Sequence, residues 1–194
     1  MRRFAFVVAA AAVCGIAAGV AIAALDRHAA PVNLPELHGQ ASWPAGARPA
    51  PARGLPPLQG RTSVVTFMDP LCTSICPIEG RQLASILRRL PPGSRPAVVL
   101  VSVNPQATAR DAVRASRKWQ LAPFHPRWVL GTHAALSKVW AAYHVQVRPT
   151  KGDIVHTLVA YLLDRDGNER TAYLFPFAPA FVQHDLARLA AERA

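Results

Sequence analysis

The pair of cysteines in Cys72-Thr73-Ser74-Ile75-Cys76 constrains the fold of this chain more than any other feature. The pair lies between an apolar, β-branched run over residues 62–68 and a helix-like run over residues 78–90. Side chains four positions apart at the start of a helix are neighbours, about 5–6 Å apart. We therefore expect the two thiols to lie close together, either as a disulfide or as two soft sulfur ligands on one metal ion.

Strand-like and helix-like segments alternate along the rest of the chain. Leu83, Ile86, Leu87 and Leu90 follow the spacing of one core-facing helical stripe. The turn over residues 164–168 is typical of a hairpin. The predicted order is β-α-β-α-β-α-β-β-α, with strands over residues 62–68, 97–103, 127–130, 158–163 and 170–175, and helices over 78–90, 108–119, 132–143 and 180–193. This order predicts an α/β, thioredoxin-like fold with a central mixed sheet and helices on both faces.

The N-terminal segment carries a candidate membrane anchor. Residues 4–25 contain neither a charge nor a proline, and their 22 residues match the roughly 20 that a spanning helix needs. Arg2 and Arg3 ahead of them predict a single-pass inner (cytoplasmic) membrane protein with its N-terminus inside and the remainder on the extracytoplasmic side. A signal peptide cleaved after Ala23 is the alternative, and a lipid-modified Cys14 is a third reading.

The remainder is predicted to form a linker over residues 26–60 and one domain over residues 61–194. Seven prolines interrupt the linker and rule out a continuous helix there. The chain has a formal net charge of +11, but its basic residues are scattered rather than gathered on one predicted face. Together with the anchor, this argues against nucleic-acid binding. Export permits the cysteine pair to persist as a disulfide, or requires a thiol reductant partner to keep it reduced.

The cysteines are expected to differ in reactivity, and His156 is the strongest third member of their site. We place Cys76 at the N-cap of a helix, Pro77 at its first position and Glu79 at its third, which favours a Cys76 thiolate, although Glu79 works against it. Cys72 is expected to be the more exposed sulfur. His156 precedes the strand over residues 158–163, whose entry is expected to lie beside the cysteine loop. Two thiolates and one imidazole suit Cu(I) and also accept Cu(II).

Other candidate residues are expected to play smaller roles. Met68 could offer a thioether but is better explained by core packing, and Asp69 either tunes the charge near the cysteines or makes a turn. His28 and His38 lie in the predicted linker, with only transient access to a metal. Local or solvent-exposed roles are expected for the other histidines, His125, His133, His144 and His184.

These residues resemble the SCO1/SenC family of membrane-anchored, thioredoxin-like proteins that deliver copper to cytochrome c oxidase. The resemblance covers residues 62–177 and rests on Cys72-x-x-x-Cys76-Pro77, on residues 101–105 at the end of the second strand, and on His156. It implies one copper ion per chain, Cu(I) or Cu(II), bound by Cys72, Cys76 and His156, and a cysteine pair that also cycles between dithiol and disulfide. It also implies a copper-accepting oxidase subunit, or another exported cuproprotein, as partner.

The chain departs from the family pattern around the expected ligands. Val155 and Thr157 flank His156 where family members have aspartate and serine, and Asn104 replaces an aspartate. Thr73-Ser74-Ile75 replaces the commoner Pro-Asp-Val. Changes in residues that surround metal ligands commonly cost about tenfold to a hundredfold in metal affinity. The departures leave room for weaker copper binding or a mainly redox role.

Two functions follow from these features. The first is a monomeric copper chaperone that uses Cys72, Cys76 and His156 as ligands. The second is a thiol–disulfide reductase in which Cys72 attacks a substrate disulfide and Cys76 resolves the mixed disulfide, without His156 and without stable metal binding. A peroxide-reducing thiol enzyme is a third reading with little local support.

Overall fold

The computed structural model describes residues 37–40, 48–49, 54–58 and 60–192. The segment predicted to span the membrane, residues 4–25, lies outside the described residues, as does Cys14. None of the helices in the described ranges is long and apolar enough to cross a membrane.

Strands and helices alternate through the described ranges much as the apolar patterns predict. The strands are β1 (Arg48–Pro49), β2 (Ser63–Met68), β3 (Ala97–Ser102), β4 (Arg127–Val129), β5 (Val147–Thr150), β6 (Asp153–His156), β7 (Val159–Leu163) and β8 (Asn168–Leu174). The helices are α1 (Cys76–Arg89), α2 (Ala109–Lys118), α3 (His133–Ala142) and α4 (Pro179–Ala191), with short 3-10 helices at Pro92–Ser94 and Ala122–Phe124.

Strands β1 to β4, β7 and β8 form a mixed sheet in the order β1-β8-β7-β2-β3-β4. Strands β2, β3 and β4 are parallel, whereas β7 is antiparallel to both β2 and β8. All six residues of β2 are buried, as expected of a central strand that is covered on both faces.

Helices cover both faces of this sheet. Val64 and Met68 of β2 pack in one apolar cluster with residues of α1 and α4, and Val65 and Phe67 pack in a second with residues of α3. The alternation follows from the two-residue period of a strand. The predicted mixed sheet with helices on both faces is confirmed.

The register of β2 and β7 explains why the cysteine loop meets His156. Thr66 of β2 lies opposite Ala160 of β7 in an antiparallel pair. The end of β2, which leads into the cysteine loop, is therefore adjacent to the beginning of β7, which follows His156.

Strands β5 and β6 form a separate two-stranded antiparallel sheet that the sequence prediction omitted. Lys151 and Gly152 connect them, and Gly152 adopts a φ of +89°, a conformation that glycine accepts without steric cost. His156 is thus the last residue of a strand rather than part of a loop.

Residues before Arg61 also pack against the domain. Gln40 bridges to Ala172 of β8, β1 pairs with β8, and Leu58 is buried in the second apolar cluster. Within the described ranges, part of the segment over residues 26–60, which the prolines predict to be a linker, therefore packs against the sheet.

Candidate metal centre

The cysteine loop holds two free thiols at the start of α1. The Cys72 backbone N–H donates to the Asp69 carbonyl at 3.0 Å. The Cys76 backbone N–H donates to Cys72 Sγ at 3.5 Å, and Ser74 Oγ lies 3.4 Å from the same sulfur. The loop therefore curls so that polar groups face the sulfur of Cys72.

Cys72 has the properties of the reactive thiol. Its side chain is partly exposed, as predicted. Partial burial by itself raises its pKa, but hydrogen bonds from the Ser74 hydroxyl and from the backbone N–H groups of Cys76 and Ser74 outweigh burial, so the pKa of Cys72 is lowered. Ser74, which sequence reasoning treated only as a departure from the family pattern, thus contacts the Cys72 sulfur and favours its thiolate.

The predicted Cys76 thiolate at a helix N-cap is wrong. The helix begins at Cys76, so the N-cap is Ile75, Cys76 is the first helical residue and Pro77 is the second. The Cys76 side chain points into the core and is 1% exposed. Burial raises the pKa of Cys76 well above its ordinary value, and the nearby Cys72 thiolate raises it further. In the metal-free protein Cys76 is therefore a protonated thiol.

His156 faces Cys76 across the junction of β6 and β7. Its Nε2 lies 3.9 Å from Cys76 Sγ, and its Nδ1 lies 3.0 Å from the Thr157 carbonyl oxygen. A carbonyl only accepts hydrogen bonds, so Nδ1 carries the proton and the lone pair of Nε2 points toward the sulfur. Burial lowers the pKa of His156, which favours this neutral form.

Two of the three predicted ligands, Cys76 and His156, lie at a separation that suits one metal ion. The Cys72 sulfur contacts the Cys76 backbone at 3.5 Å, and the three donor atoms do not all lie within 4.8 Å of one another. Metal–sulfur and metal–nitrogen bonds of about 2.3 and 2.0 Å at a trigonal angle place the two donor atoms about 3.7 Å apart. The separation of 3.9 Å between Cys76 Sγ and His156 Nε2 is close to that value. A soft donor set of two sulfurs and one imidazole favours copper over oxygen-seeking cations.

Asp69 and Asn104 form a polar contact beneath the cysteine loop. Asn104 Nδ2 donates to Asp69 Oδ2 at 3.2 Å, and the Leu71 backbone N–H donates to Asp69 Oδ1 at 2.9 Å. Asp69 is therefore both a turn residue and a source of negative charge near His156, two roles that the sequence left open. Met68 is fully buried, which confirms core packing for this side chain.

Glu79 is a buried carboxyl group on the first turns of α1. Its side chain is fully buried, and Oε1 accepts a hydrogen bond from Thr66 Oγ1 at 2.8 Å. Within the described residues Oε2 has no hydrogen-bond partner. Burial raises the pKa of Glu79 to about 8, so this group is largely protonated at neutral pH.

An open cleft of about 610 Å³ borders the exposed side of the centre. It is lined by the cysteine loop from Asp69 to Ser74, by residues 104–106 and by the turn of the β5–β6 hairpin. Leu71, Ile78 and Val155, here named the apolar rim, are each about half exposed and lie one or two residues from Cys72, Cys76 and His156 respectively. Exposed apolar side chains around a polar site are typical of a surface that meets another protein.

The other histidines in the described ranges divide into two groups, and His28 lies outside those ranges. His125, His133 and His144 are exposed, as predicted. The prediction for His38 needs correction, because its side chain stacks on Phe181 and contacts His184 and Asp185 rather than moving freely in a linker.

A family model described as SCO1/SenC matches residues 55–191 of this chain. The chain belongs to the SCO1/SenC family. A comparison with curated protein sequences finds no significant match.

Solved structures similar to this SCO1/SenC domain include several Sco proteins. Copper-bound ScoI from Arabidopsis thaliana is 20% identical, with a TM-score of 0.61 over 68% of this chain and 85% of that chain. Copper-bound ScoI from Bradyrhizobium japonicum is 25% identical, with a TM-score of 0.56 over 68% of this chain and 87% of that chain. BsSco, a member of the Sco family of cytochrome c oxidase assembly proteins that has a disulfide switch, is 14% identical, with a TM-score of 0.62 over 82% and 99%. The predicted thioredoxin-like α/β fold is thereby confirmed.

Proposed function

We propose that this chain binds one copper ion through Cys72, Cys76 and His156 and delivers it to an extracytoplasmic copper protein, with a copper centre of cytochrome c oxidase as the preferred acceptor. The observation that carries the proposal is the approach of His156 Nε2 to within 3.9 Å of Cys76 Sγ, with its lone pair directed at the sulfur. Copper-bound ScoI proteins and the oxidase-assembly role of the BsSco family support it.

The unequal burial of the ligands suggests an order of release. Cys72 borders the open cleft, whereas Cys76 is buried and His156 is largely enclosed. An incoming ligand from the acceptor would therefore replace Cys72 first, because that bond is the accessible one. Cys76 regains its proton on release, since burial favours its neutral thiol.

The copper proposal is tested with the reduced full-length chain under anaerobic conditions. Copper(I) is titrated in competition with a copper(I) chelator for the wild type, for His156→Ala and for Cys72→Ser/Cys76→Ser. We expect one copper per chain in the wild type, an affinity loss of more than about tenfold in His156→Ala, and no tight binding without the cysteines. His133→Ala, an exposed histidine of α3, is the matched control and should bind as the wild type does. Copper binding that is indifferent to His156 would overturn the proposed ligand set.

A thiol–disulfide reductase is the second candidate, and the lowered pKa of Cys72 beside an open cleft favours it. The Cys72 thiolate would attack one sulfur of a substrate disulfide, form a mixed disulfide and expel the other sulfur as a thiolate. Cys76 would lose its proton and attack Cys72, which releases the reduced substrate and leaves a Cys72–Cys76 disulfide for an external thiol reductant. A wild-type rate of disulfide reduction in His156→Ala, together with no tight copper binding by the wild type, would favour this function.

We also propose that residues 4–25 remain as an anchor and place the domain on the extracytoplasmic side of the inner membrane. The uncharged segment after Arg2 and Arg3 supports this placement. Sequencing the N-terminus of the mature protein tests it, because a terminus just after Ala23 would mean cleavage.

A further inference from the structure

A second cluster of metal-ligating side chains lies on the outer face of α4. His184 and Asp185 belong to that helix, and His38 approaches them from the segment over residues 37–40. The Nδ1 atoms of His38 and His184 each lie 3.1 Å from the same oxygen, Oδ1 of Asp185. The two imidazole rings meet edge to face with their centroids 4.4 Å apart.

These separations match those of ligands around one ion. Bonds of about 2.0 Å place two ligand atoms about 2.8 Å apart at a right angle and about 3.3 Å apart at a tetrahedral angle. The observed 3.1 Å lies between these values for both imidazoles. The carboxylate oxygen thus lies at a ligand-like distance from two nitrogens.

The Asp185 carboxylate is oriented by its other oxygen. Oδ2 accepts hydrogen bonds from the Tyr173 hydroxyl at 2.5 Å, from the His38 backbone N–H at 2.9 Å and from the Gly39 backbone N–H at 3.1 Å. The Asp185 side chain is fully buried, whereas those of His38 and His184 are 39% and 45% exposed. Oδ1 faces the two solvent-accessible imidazoles and also lies 3.1 Å from the His38 backbone N–H, which is shared between the two carboxylate oxygens.

Gly39 makes this arrangement possible. A Cβ atom at position 39 would lie 2.2 Å from Thr171 Oγ1 and 2.7 Å from the Tyr173 ring. Only glycine allows the backbone to approach β8 closely enough for residues 38 and 39 to donate to Asp185.

We infer that His38, His184 and Asp185 form a binding site for a divalent transition-metal ion, Zn²⁺ or Cu²⁺. Each imidazole would bind through Nδ1 and carry its proton on Nε2, while Asp185 would bind through Oδ1 and keep the donors on Oδ2. Imidazole and carboxylate ligands select borderline divalent ions, whereas the cysteine centre selects soft Cu(I). Arg188 lines the same cleft and opposes a cation, so the attraction depends on the buried carboxylate.

The site is separate from the cysteine centre. Tyr173 of β8 lies opposite Ala160 of β7, which lies opposite Thr66 of β2. Two strand spacings of about 4.8 Å therefore separate Tyr173 from the strand that leads to the cysteine loop. The inference goes beyond the proposed function and does not depend on copper delivery.

The test uses the untagged full-length chain with Cys72→Ser and Cys76→Ser, so that the thiolate centre does not contribute. Zn²⁺ and Cu²⁺ are added in separate arms, excess ion is removed, and the retained metal is counted by mass spectrometry. We expect one ion per chain in at least one arm, and the arm with tighter binding identifies the ion. Bound Cu²⁺ should show nitrogen hyperfine couplings from imidazole in its electron paramagnetic resonance spectrum.

Matched variants in the same background locate the ion. His38→Gln and His184→Gln should each weaken binding by more than about tenfold, since losing a ligand costs at least as much as disturbing its surroundings. Tyr173→Phe should weaken it by about tenfold and retain the nitrogen couplings, because it removes a donor that orients Asp185. His133→Gln should bind as the parent does.

The alternative is a purely structural hydrogen-bond cluster in which both imidazoles donate Nδ1–H to Asp185. No retained metal in either arm, or binding indifferent to both His38→Gln and His184→Gln, would establish that alternative and overturn the inference. Absence of Cu(I) binding at the cysteines in the earlier titration would not affect the inferred site at His38, His184 and Asp185. The two proposals can therefore be refuted independently.

Discussion

At the scale of single residues, burial separates the two cysteines more strongly than their position at a helix start. Cys76 faces the core and keeps its proton, whereas Cys72 receives hydrogen bonds that favour its thiolate. The helix N-terminus favours a lowered pKa for Cys76. The free energy cost of removing a thiolate from water is larger than the stabilisation that the partial charges at the helix end provide.

We predict that Cys72 is alkylated much faster than Cys76 at neutral pH in the reduced, metal-free protein. Ser74→Ala should move the pH midpoint of Cys72 alkylation upward, because it removes a hydrogen bond that lowers the Cys72 pKa. Thr73→Ala, a change at the exposed neighbour, should leave the midpoint in place. Peptide mass spectrometry after timed iodoacetamide treatment measures both. Preferential modification of Cys76 would contradict the assignment.

The buried carboxyl group of Glu79 predicts that the free energy of unfolding depends on pH. Its folded-state pKa of about 8 lies above the ordinary value of 4.5, so between these pH values the folded protein holds a proton that the unfolded chain has lost. The free energy of unfolding should therefore fall as pH rises from about 4.5 to 8, by an amount on the order of a few kcal/mol. Denaturant titrations at pH 5 and pH 8 measure this change in the free energy of unfolding, and Glu79→Gln should abolish it. The same change with pH in the wild type and in Glu79→Gln would count against the buried acid.

At the scale of elements, the β5–β6 hairpin positions His156 while burying little of its own surface. Most of its residues are exposed, and Val147 and Ile154 are partly buried against the second apolar cluster. An isolated two-stranded hairpin is marginally stable in water. The position of His156 therefore depends on this docking and on the pairing of Val147 with His156.

Gly152→Ala tests the role of the hairpin. A residue with a Cβ in the left-handed conformation of Gly152 costs about 1–2 kcal/mol, although the side chain itself meets nothing within 4 Å. We expect weaker copper(I) binding at unchanged stoichiometry, because the strain falls on the turn that carries His156. Gly93→Ala is the control, since an added Cβ there also meets nothing within 4 Å and its backbone is not left-handed. Equal affinities in the two variants would show that the turn does not position the ligand.

Sequence reasoning found the elements of the main sheet but missed this hairpin. Thr108 and Asp111 form a capping box and Thr132 caps α3, at the starts of two helices that the sequence predicts, because such hydrogen bonds are local. Lys151-Gly152, between Thr150 and Asp153, is a usable signal for a hairpin, but the segment is short and does not alternate strictly between apolar and polar residues. Its pairing is stabilised by contacts with distant residues, which local patterns do not report.

At the scale of the whole molecule, the apolar rim offers exposed apolar side chains one or two positions in sequence from the candidate ligands, and Leu71 also lines the open cleft. Leu71, Ile78 and Val155 belong to the cysteine loop, α1 and β6, and each is about half exposed. Under the proposed function, replacing all three by serine should leave copper(I) affinity nearly unchanged and slow transfer to an acceptor copper protein.

The rim prediction is checked by following copper transfer optically. Val113→Ser, a change at a similarly exposed apolar residue on α2, is the control and should transfer copper at the wild-type rate. Slower transfer in both variants would indicate a general surface effect, and unchanged transfer in the triple variant would exclude the rim as the docking surface.

The sequence by itself determined the strand and helix order, the cysteine pair at the start of α1 and the family to which the chain belongs, because these depend on periodicity and on spacing along the chain. The tertiary structure alone decided which thiol is buried and which ring nitrogen of His156 carries the proton, through the Thr157 carbonyl. It also decided that His38 contacts His184 and Asp185. Burial and contacts between residues as far apart as 38 and 185 depend on how the elements pack, and packing is a property of the whole fold.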